Sequence, residues 1–256
     1  MNIYIRSHRQ TGLPETEIEY TAFQGFRALG FSPEFFEREE QLEKTRPDEL
    51  VVGGVSIVTR KLQSFGIEVP NIDYPEELTP FLGRKIWKST LDAVLSDPRG
   101  WPVFVKPIQE KAFTGFILKD EKSIPRLYRA KKEEPVYCSE LVDFEAEWRV
   151  FVRYGNILDA RPYQGDWHLH FDAGIIEQAV RDYHSAPAGY AIDFGVTADG
   201  ETLLIEINDG FALGTYGLDP IQYAKLLSAR WCEFTNIHDE CDQYLERVDW
   251  KNRKRG

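Results

Sequence analysis

The chain has 256 residues, 42% of them hydrophobic, so it is long and apolar enough to fold around a core and is not a disordered chain. Acidic residues (42) outnumber Lys and Arg (31), and the net charge of −11 argues against nucleic acid as a partner. No apolar run reaches the ~20 residues of a membrane span, and the three cysteines lack metal-site or disulfide spacing. We therefore expect a cytoplasmic protein with reduced thiols and no membrane partner.

The first 80 residues predict a small α/β domain. Short strands are indicated at 2–6, 34–37 and 49–52. Between the first two, apolar residues recur at helical spacing from Ile18 to Leu29, and Gly30 follows as a stop signal. A second helix begins after Gly54. Because strands alternate with helices, we expect a βαβ-type domain with a parallel sheet.

The remainder of the chain changes to a different pattern. Residues 69–74 suggest a strand or extended chain, 75–80 a linker and 84–95 a helix. Short strands joined by turns follow at 103–106, 115–118, 136–142, 147–154, 157–161, 190–196 and 202–208. A final helix begins at Asp219-Pro220, with an N-cap residue followed by proline at the first helical position. A mostly antiparallel half after a βαβ-type half predicts an α/β plus α+β fold.

The most informative segment is a hairpin that carries acidic residues. Asp199-Gly200 lies between two apolar runs and predicts a two-residue turn. Counting back from that turn places Asp193 directly opposite Glu206, with Asn208 on the same face. Facing like charges destabilise a sheet, whereas Mg²⁺ prefers oxygen ligands and would reverse the sign of that interaction. The pattern therefore predicts a metal site.

A second interpretation of the hairpin is a solvated face on which two acids tolerate each other. The apolar neighbours favour burial, which makes unpaired acids costly; these are Leu203, Leu204, Ile205 and Ile207. On the metal interpretation, replacing Glu206 with Gln would also relieve repulsion and stabilise the metal-free protein.

With this hairpin in view, the chain resembles the ATP-grasp superfamily of carboxylate–amine ligases from about residue 83 to 219. Family members carry an Asp on one late strand and Glu-x-Asn on the next, and these residues hold Mg²⁺ between ATP phosphates. The resemblance implies metal ligands at Asp193, Glu206 and Asn208. It also implies a pre-ATP-grasp-like domain at 1–80, an N-lobe at 81–137 and a C-lobe with a C-terminal helix at 138–256, with antiparallel sheets in the two lobes.

Further matches to the family imply a nucleotide site. The strand Val103-Phe-Val-Lys-Pro107 resembles the one whose lysine reaches the ATP phosphates, which gives Lys106. The loop from Gln109 to Gly115 takes the place of the glycine-rich phosphate loop; it contains only one glycine, and Lys111 is the candidate that compensates. Lys85 is the candidate first nucleotide lysine, on the predicted helix, with Lys88 or Arg84 as alternatives.

The hinge and the next strands complete the resemblance. Backbone groups of three hinge residues would pair with adenine; these are Glu140, Leu141 and Val142. Glu147 corresponds to the acid on the ribose hydroxyls, with Glu145 as the competitor. Arg149 and Arg161 correspond to arginines near the transferred phosphoryl group.

The resemblance implies an ATP- and Mg²⁺-dependent ligase that joins a carboxylate to an amine through an acyl phosphate. The substrates would be small molecules or peptides, and the oligomeric state stays open. A kinase on the same fold that phosphorylates a hydroxyl is the first alternative. A non-catalytic nucleotide-binding module and a plain structural protein are the others.

One structural expectation follows from the two arginines. A strict two-residue turn at Gly155-Asn156 would point Arg149 and Arg161 to opposite faces of the sheet. Because both are expected at one phosphate cluster, we predict a bulge or a different turn in this hairpin.

Overall fold

The protein is described here from a computed structural model, over residues 1–109, 112–124, 131 and 133–244. Within these ranges no helix is long and apolar enough to cross a membrane.

The N-terminal region forms a three-stranded parallel sheet flanked by helices, as predicted. Its strand order is β2-β1-β3, and both pairings are parallel. The first helix begins with a capping box, in which the Thr16 side chain accepts from the backbone and Glu19 reaches back to Thr16. The elements are β1 (Asn2–Arg6), α1 (Glu17–Ala28), β2 (Glu34–Phe36), β3 (Glu49–Val52) and α2 (Val55–Ser64).

The chain then crosses to the antiparallel half in an extended segment and a 3-10 helix, Glu76–Phe81. The predicted helix over 84–95 is wrong. These residues form β4 (Ile86–Thr90) and the short α3 (Leu91–Ser96). Hydrogen bonds to a neighbouring strand override the helical spacing, and the Thr90 side chain caps α3 by accepting from the Ala93 amide.

Two four-stranded antiparallel sheets follow, in agreement with the predicted fold class. The N-lobe sheet has the order β4-β7-β5-β6, and the C-lobe sheet has the order β11-β10-β8-β9. The N-lobe strands are β5 (Val103–Pro107), β6 (Phe116–Leu118) and β7 (Pro135–Ser139). The C-lobe strands are β8 (Phe144–Arg153), β9 (Asn156–Gly165), β10 (Gly189–Thr197) and β11 (Thr202–Asp209).

Two helices cover the C-lobe sheet. One face packs against α4 (Ala173–Asp182), an element that the sequence pattern did not predict, through Ile176 and Ala179. The other helix is α5 (Pro220–Thr235), which begins as predicted: Asp219 accepts hydrogen bonds from the amides of Ile221 and Gln222.

The β10–β11 hairpin confirms that Asp193 lies opposite Glu206. The two-residue turn is wrong, because Val196 pairs with Thr202 and the Thr197 amide donates to Glu201 O across a three-residue turn. The register shifts by one residue between Asp193 and Phe194, where a bulge restores the predicted pairing. The extra turn residue and the bulge therefore cancel at the site.

The β8–β9 hairpin confirms the predicted bulge. Its turn is Tyr154-Gly155, one residue earlier than expected, and both residues have positive φ (47° and 69°). The register shifts between Phe151 and Val152, and Arg149 consequently pairs directly with Arg161. The two arginines lie opposite one another on the sheet.

The largest hydrophobic core joins the N-terminal region to the C-lobe. It contains residues of the parallel sheet and α1, such as Phe26, together with Phe151 of β8 and Trp231 of α5. At the α1–α5 contact, a β-carbon on Gly25 would lie 1.9 Å from the carbonyl oxygen of Pro220. Glycine at this position therefore sets how closely the two helices approach.

We expect Gly25→Ala to destabilise the fold by about 1–3 kcal/mol, because the clash is with backbone and cannot be relieved by a rotamer change. In an exposed helix the same substitution would stabilise by roughly 0.5–1 kcal/mol. Urea unfolding measures the difference. The matched control is Gly100→Ala, where a β-carbon meets no atom within 4 Å. Equal stability of the two variants would contradict this close contact.

Candidate active site

A cleft of about 900 Å³ opens where α2, the segment 68–73 and the two antiparallel sheets meet. Four of the predicted site residues line it: Lys106, Arg149, Glu206 and Asn208. Other parts of the lining come from the N-terminal region, including Ser56 and Thr59 of α2. The cleft is therefore shared between all three parts of the predicted domain organisation.

Asp193 is paired with Arg149 beneath the cleft. The guanidinium Nε donates to Oδ1 at 2.8 Å and an Nη donates to Oδ2 at 2.6 Å, which makes a bidentate ion pair. The Asp193 side chain is 1% exposed and that of Arg149 is 8% exposed. Because β8 and β10 pair with Arg149 opposite Asp193, the register alone brings the two together.

Glu206 has its own cation. Lys106 Nζ lies 2.9 Å from Glu206 Oε2, across the gap between the N-lobe and C-lobe sheets. The Asn208 amide lies between the two acids and donates to Asp193 Oδ2 and to Glu206 Oε1, each at 3.2 Å. The facing carboxylates are thus held apart by two cations and an amide.

Burial and pairing set the protonation states at the site. Burial raises the pKa of Asp193 to about 6, and Glu206 adds to the rise while Arg149 opposes it. Burial also acts to raise the pKa of Glu206, but Lys106 and Asn208 outweigh it and hold that pKa below its usual range. Burial acts to lower the pKa values of Lys106 and Arg149, but the carboxylates beside them hold both above their usual range. All four groups are charged at neutral pH.

Sequence reasoning missed one residue of this cluster, Asp73. Its carboxylate accepts from Lys106 Nζ through Oδ2 and from the Ile207 amide through Oδ1 at 3.0 Å. Burial raises the pKa of Asp73, against the effect of Lys106. The segment 69–74 was expected to be a strand or extended chain, and nothing in its pattern places an acid beside Lys106. Only the tertiary path of the chain does so.

Arg161 lies opposite Arg149 on β9 but does not line the cleft. Its Nε donates to Asp159 Oδ2 at 2.8 Å, and its side chain is 39% exposed. Of the two predicted arginines, Arg149 is the one that the structure brings to the acids.

The family follows from comparison with known proteins. Residues 81–226, more than half of the chain, match the model of an ATP-grasp domain, the second family of its clade. The chain belongs to this ATP-grasp family.

Solved structures agree with that assignment at the level of fold. D-alanine–D-alanine ligase from Bacillus anthracis matches with a TM-score of 0.56 and 15% identity over 92% of this chain and 97% of that one. N5-carboxyaminoimidazole synthetase from Staphylococcus aureus matches with a TM-score of 0.58 and 10% identity over 93% and 77%. The macrocyclase MdnC from Microcystis aeruginosa MRC, bound with the precursor peptide MdnA, matches with a TM-score of 0.50 and 12% identity over 89% and 99%. A search of curated proteins gives no match.

The ATP-grasp hinge lies apart from the cleft. Glu140, Leu141 and Val142 follow β7 and are not among the residues that line the 900 Å³ space. The Glu140 amide donates to Lys85 O at 3.1 Å, and its carboxylate accepts from the Lys85 amide at 2.8 Å. Glu147 accepts from the Gln164 side chain at 3.1 Å. The hinge is thus held by pairing with the start of β4.

The first nucleotide lysine is not on a helix, since residues 86–90 form β4. Lys85 Nζ lies 5.5 Å from the centre of the Trp87 ring. Alternation along the strand places Lys88 on the other face, where its Nζ lies 5.7 Å from the Tyr137 ring. Tyr137 pairs with both Lys88 and Lys106, so these two lysines share a face of the N-lobe sheet.

The two remaining candidates for phosphate contacts differ in what the structure says of them. Arg84, the other alternative to Lys85, donates to the backbone carbonyls of Leu204 and Ile205 and so ties the lobes together. Lys111 lies outside the described residues.

The donor set fits Mg²⁺ in its chemistry. Glu206 and Asn208 line the cleft and present oxygen atoms, while both Asp193 oxygens accept from Arg149. Mg²⁺ commonly takes only one or two carboxylates and completes its shell with water and phosphates. Within the described residues no three His, Cys, Asp or Glu side chains cluster as a metal site, which agrees with a site that relies on phosphates.

Because Glu206 is ion-paired, the structure reverses the expected effect of Glu206→Gln. We expect this variant to destabilise the metal-free protein by about 1 kcal/mol at pH 7, since the bond to Lys106 loses its charge. The folded-state pKa of Glu206 is lowered, so its contribution is complete above the unfolded value of roughly 4.3 and is lost as pH falls through the folded value.

Urea unfolding at a series of pH values tests the sign. The difference between wild type and variant should be present at pH 7 and shrink below about pH 4. Glu201→Gln, at an exposed position in the turn of the same hairpin, serves as the control. A more stable Glu206→Gln protein at pH 7 would show that repulsion between the acids dominates.

Proposed function

We propose that this protein is an ATP- and Mg²⁺-dependent ligase that joins a carboxylate to an amine through an acyl phosphate. The observation that carries the proposal is the convergence of Lys106, Arg149, Glu206 and Asn208 on one cleft between two antiparallel sheets. Membership of the ATP-grasp family and ligases among the similar structures support it.

The chemistry requires charge neutralisation more than a protein nucleophile. A carboxylate is a poor electrophile, and transfer of a phosphoryl group converts it into a reactive mixed anhydride. Mg²⁺, held by Glu206 and Asn208 with Asp193 beneath them, would neutralise the phosphates. Lys106 would bind the phosphates from the N-lobe, and Arg149 would stabilise charge on the transferred group from the C-lobe. An amine then attacks the acyl carbon and phosphate leaves.

The nucleotide base would lie at the hinge. In this proposal the backbone of Glu140, Leu141 and Val142 pairs with adenine, and Glu147 binds the ribose. Lys88 replaces Lys85 as the first nucleotide lysine, because it shares a sheet face with Lys106. Arg161 would act only after exchanging its partner Asp159 for substrate.

The acceptor and donor would enter from the side of α2, whose residues line the far part of the cleft. Small molecules and peptides both remain candidates. The similar structure that is bound with a precursor peptide makes peptides, together with amino acids, the first compounds to screen.

Hydroxylamine trapping tests the reaction class. An acyl phosphate reacts with hydroxylamine to form a hydroxamate, so a ligase should give ADP and hydroxamate in equal amounts when Mg²⁺, ATP and the correct carboxylate are present. A phosphorylated product without hydroxamate would identify a kinase instead. Nucleotide binding without ADP formation across the screen would favour a binding module.

Lys106→Ala should reduce ADP formation by roughly 100-fold or more, because a phosphate contact in the closed cleft is lost. Lys119→Ala and Lys122→Ala are matched controls. They remove exposed lysines of the same lobe and should stay near the wild-type rate. Initial rates of ADP release at saturating substrate measure all three. Similar losses across the set would indicate a diffuse basic surface.

A further inference from the structure

The segment that joins the N-terminal region to the two lobes passes directly through the cleft. Residues 68–73 all contribute to its lining. At the end of this run Asp73 reaches Lys106, and the following residue, Tyr74, adopts a positive φ of 54°. Positive φ is uncommon for a bulky side chain, and such strain concentrates where a structure must aim a group.

Lys106 is held by acids from two different parts of the chain. Asp73 comes from the joining segment and Glu206 from the C-lobe, and both accept from Nζ. The Tyr74 ring centre lies 4.6 Å from the same nitrogen. A lysine ammonium has three donors, so one remains for a phosphate oxygen. A flexible four-carbon side chain is thereby restricted before any nucleotide arrives.

The joining segment is anchored on both lobes rather than poised to leave. Asn71 donates to Ile108 O in the N-lobe at 2.8 Å, and the Tyr137 hydroxyl donates to Asp73 O at 3.3 Å. On the C-lobe side, the Ile207 amide donates to the Asp73 carboxylate at 3.0 Å. Bonds to both lobes fix the carboxylate in place, so it is not a plug that nucleotide phosphates displace.

We propose that Asp73 is a positioning residue, which holds the Lys106 ammonium toward the transferred phosphate and ties this geometry to the N-terminal part of the cleft. The inference rests on the proposed function, because it assigns Lys106 to the phosphates. Asp73 does not itself touch substrate.

The charge of Asp73 gives this role a distinct kinetic signature. Its carboxylate lies near where a polyanion binds, so removing the charge should leave MgATP affinity unchanged or tighter. Losing one of the two anchors of Lys106 should slow phosphoryl transfer. A merely structural residue would instead reduce affinity, rate and stability together.

The test is Asp73→Asn, which keeps the shape and can still accept from the Ile207 amide. We expect kcat to fall by about 10–100-fold, as for loss of a charged hydrogen bond, while the MgATP dissociation constant stays equal or decreases. Glu77→Gln is the control. Glu77 lies on the same connection and accepts from the Ser185 amide and hydroxyl, at 2.8 and 2.7 Å, without touching Lys106. An unchanged kcat in Asp73→Asn, or weaker MgATP binding together with lower stability, would overturn the proposal.

A second measurement separates this inference from the proposed function. The Lys106 ammonium, held by two carboxylates, should give a slowly exchanging ¹H–¹⁵N signal, assigned by its absence in Lys106→Ala. The signal should disappear in Asp73→Asn and persist in Glu77→Gln. If the wild type turns over no ATP, the proposed function fails, and this experiment still decides whether Asp73 holds the lysine. A signal that is unchanged in Asp73→Asn would refute the positioning role.

Discussion

The structure depends on one electrostatic constraint, which is the presence of two carboxylates directly opposite each other on neighbouring strands. Asp193 and Glu206 would repel if they were left alone in a buried cleft. Arg149 compensates the first and Lys106 the second, and Asn208 bonds to both. Since the two cations come from different sheets, satisfying this constraint also requires the two lobes to close on each other.

The remaining architecture can be understood as support for that arrangement. The bulges in the two C-lobe hairpins place Asp193 opposite Glu206 and Arg149 opposite Arg161. The common core with α1 and α5 fixes the N-terminal region against the C-lobe. As a result, the segment that carries Asp73 reaches Lys106 along a fixed path. Local strand irregularity and long-range packing therefore act on the same few side chains.

The sequence predicted the strands and the acid pair better than their connections. Alternation of apolar residues and the Asp199-Gly200 signal located β10 and β11, although the turn has three residues and a bulge cancels the shift. Residues 84–95 have helical spacing, but pairing with β7 makes the first part a strand. Asp73 and the Lys85–Lys88 distinction were beyond reach, because both depend on which segments meet in space.

The most direct measurement of the central claim is calorimetric titration of ATP into the wild-type protein, with Mg²⁺ and then with EDTA. The acids of the cleft repel a metal-free triphosphate, and a divalent cation between them changes repulsion into attraction. The account predicts tight binding with Mg²⁺ and binding that is at least about 10-fold weaker without it. Equal affinity for ATP in EDTA would contradict the assignment of Asp193, Glu206 and Asn208 to a metal-dependent site.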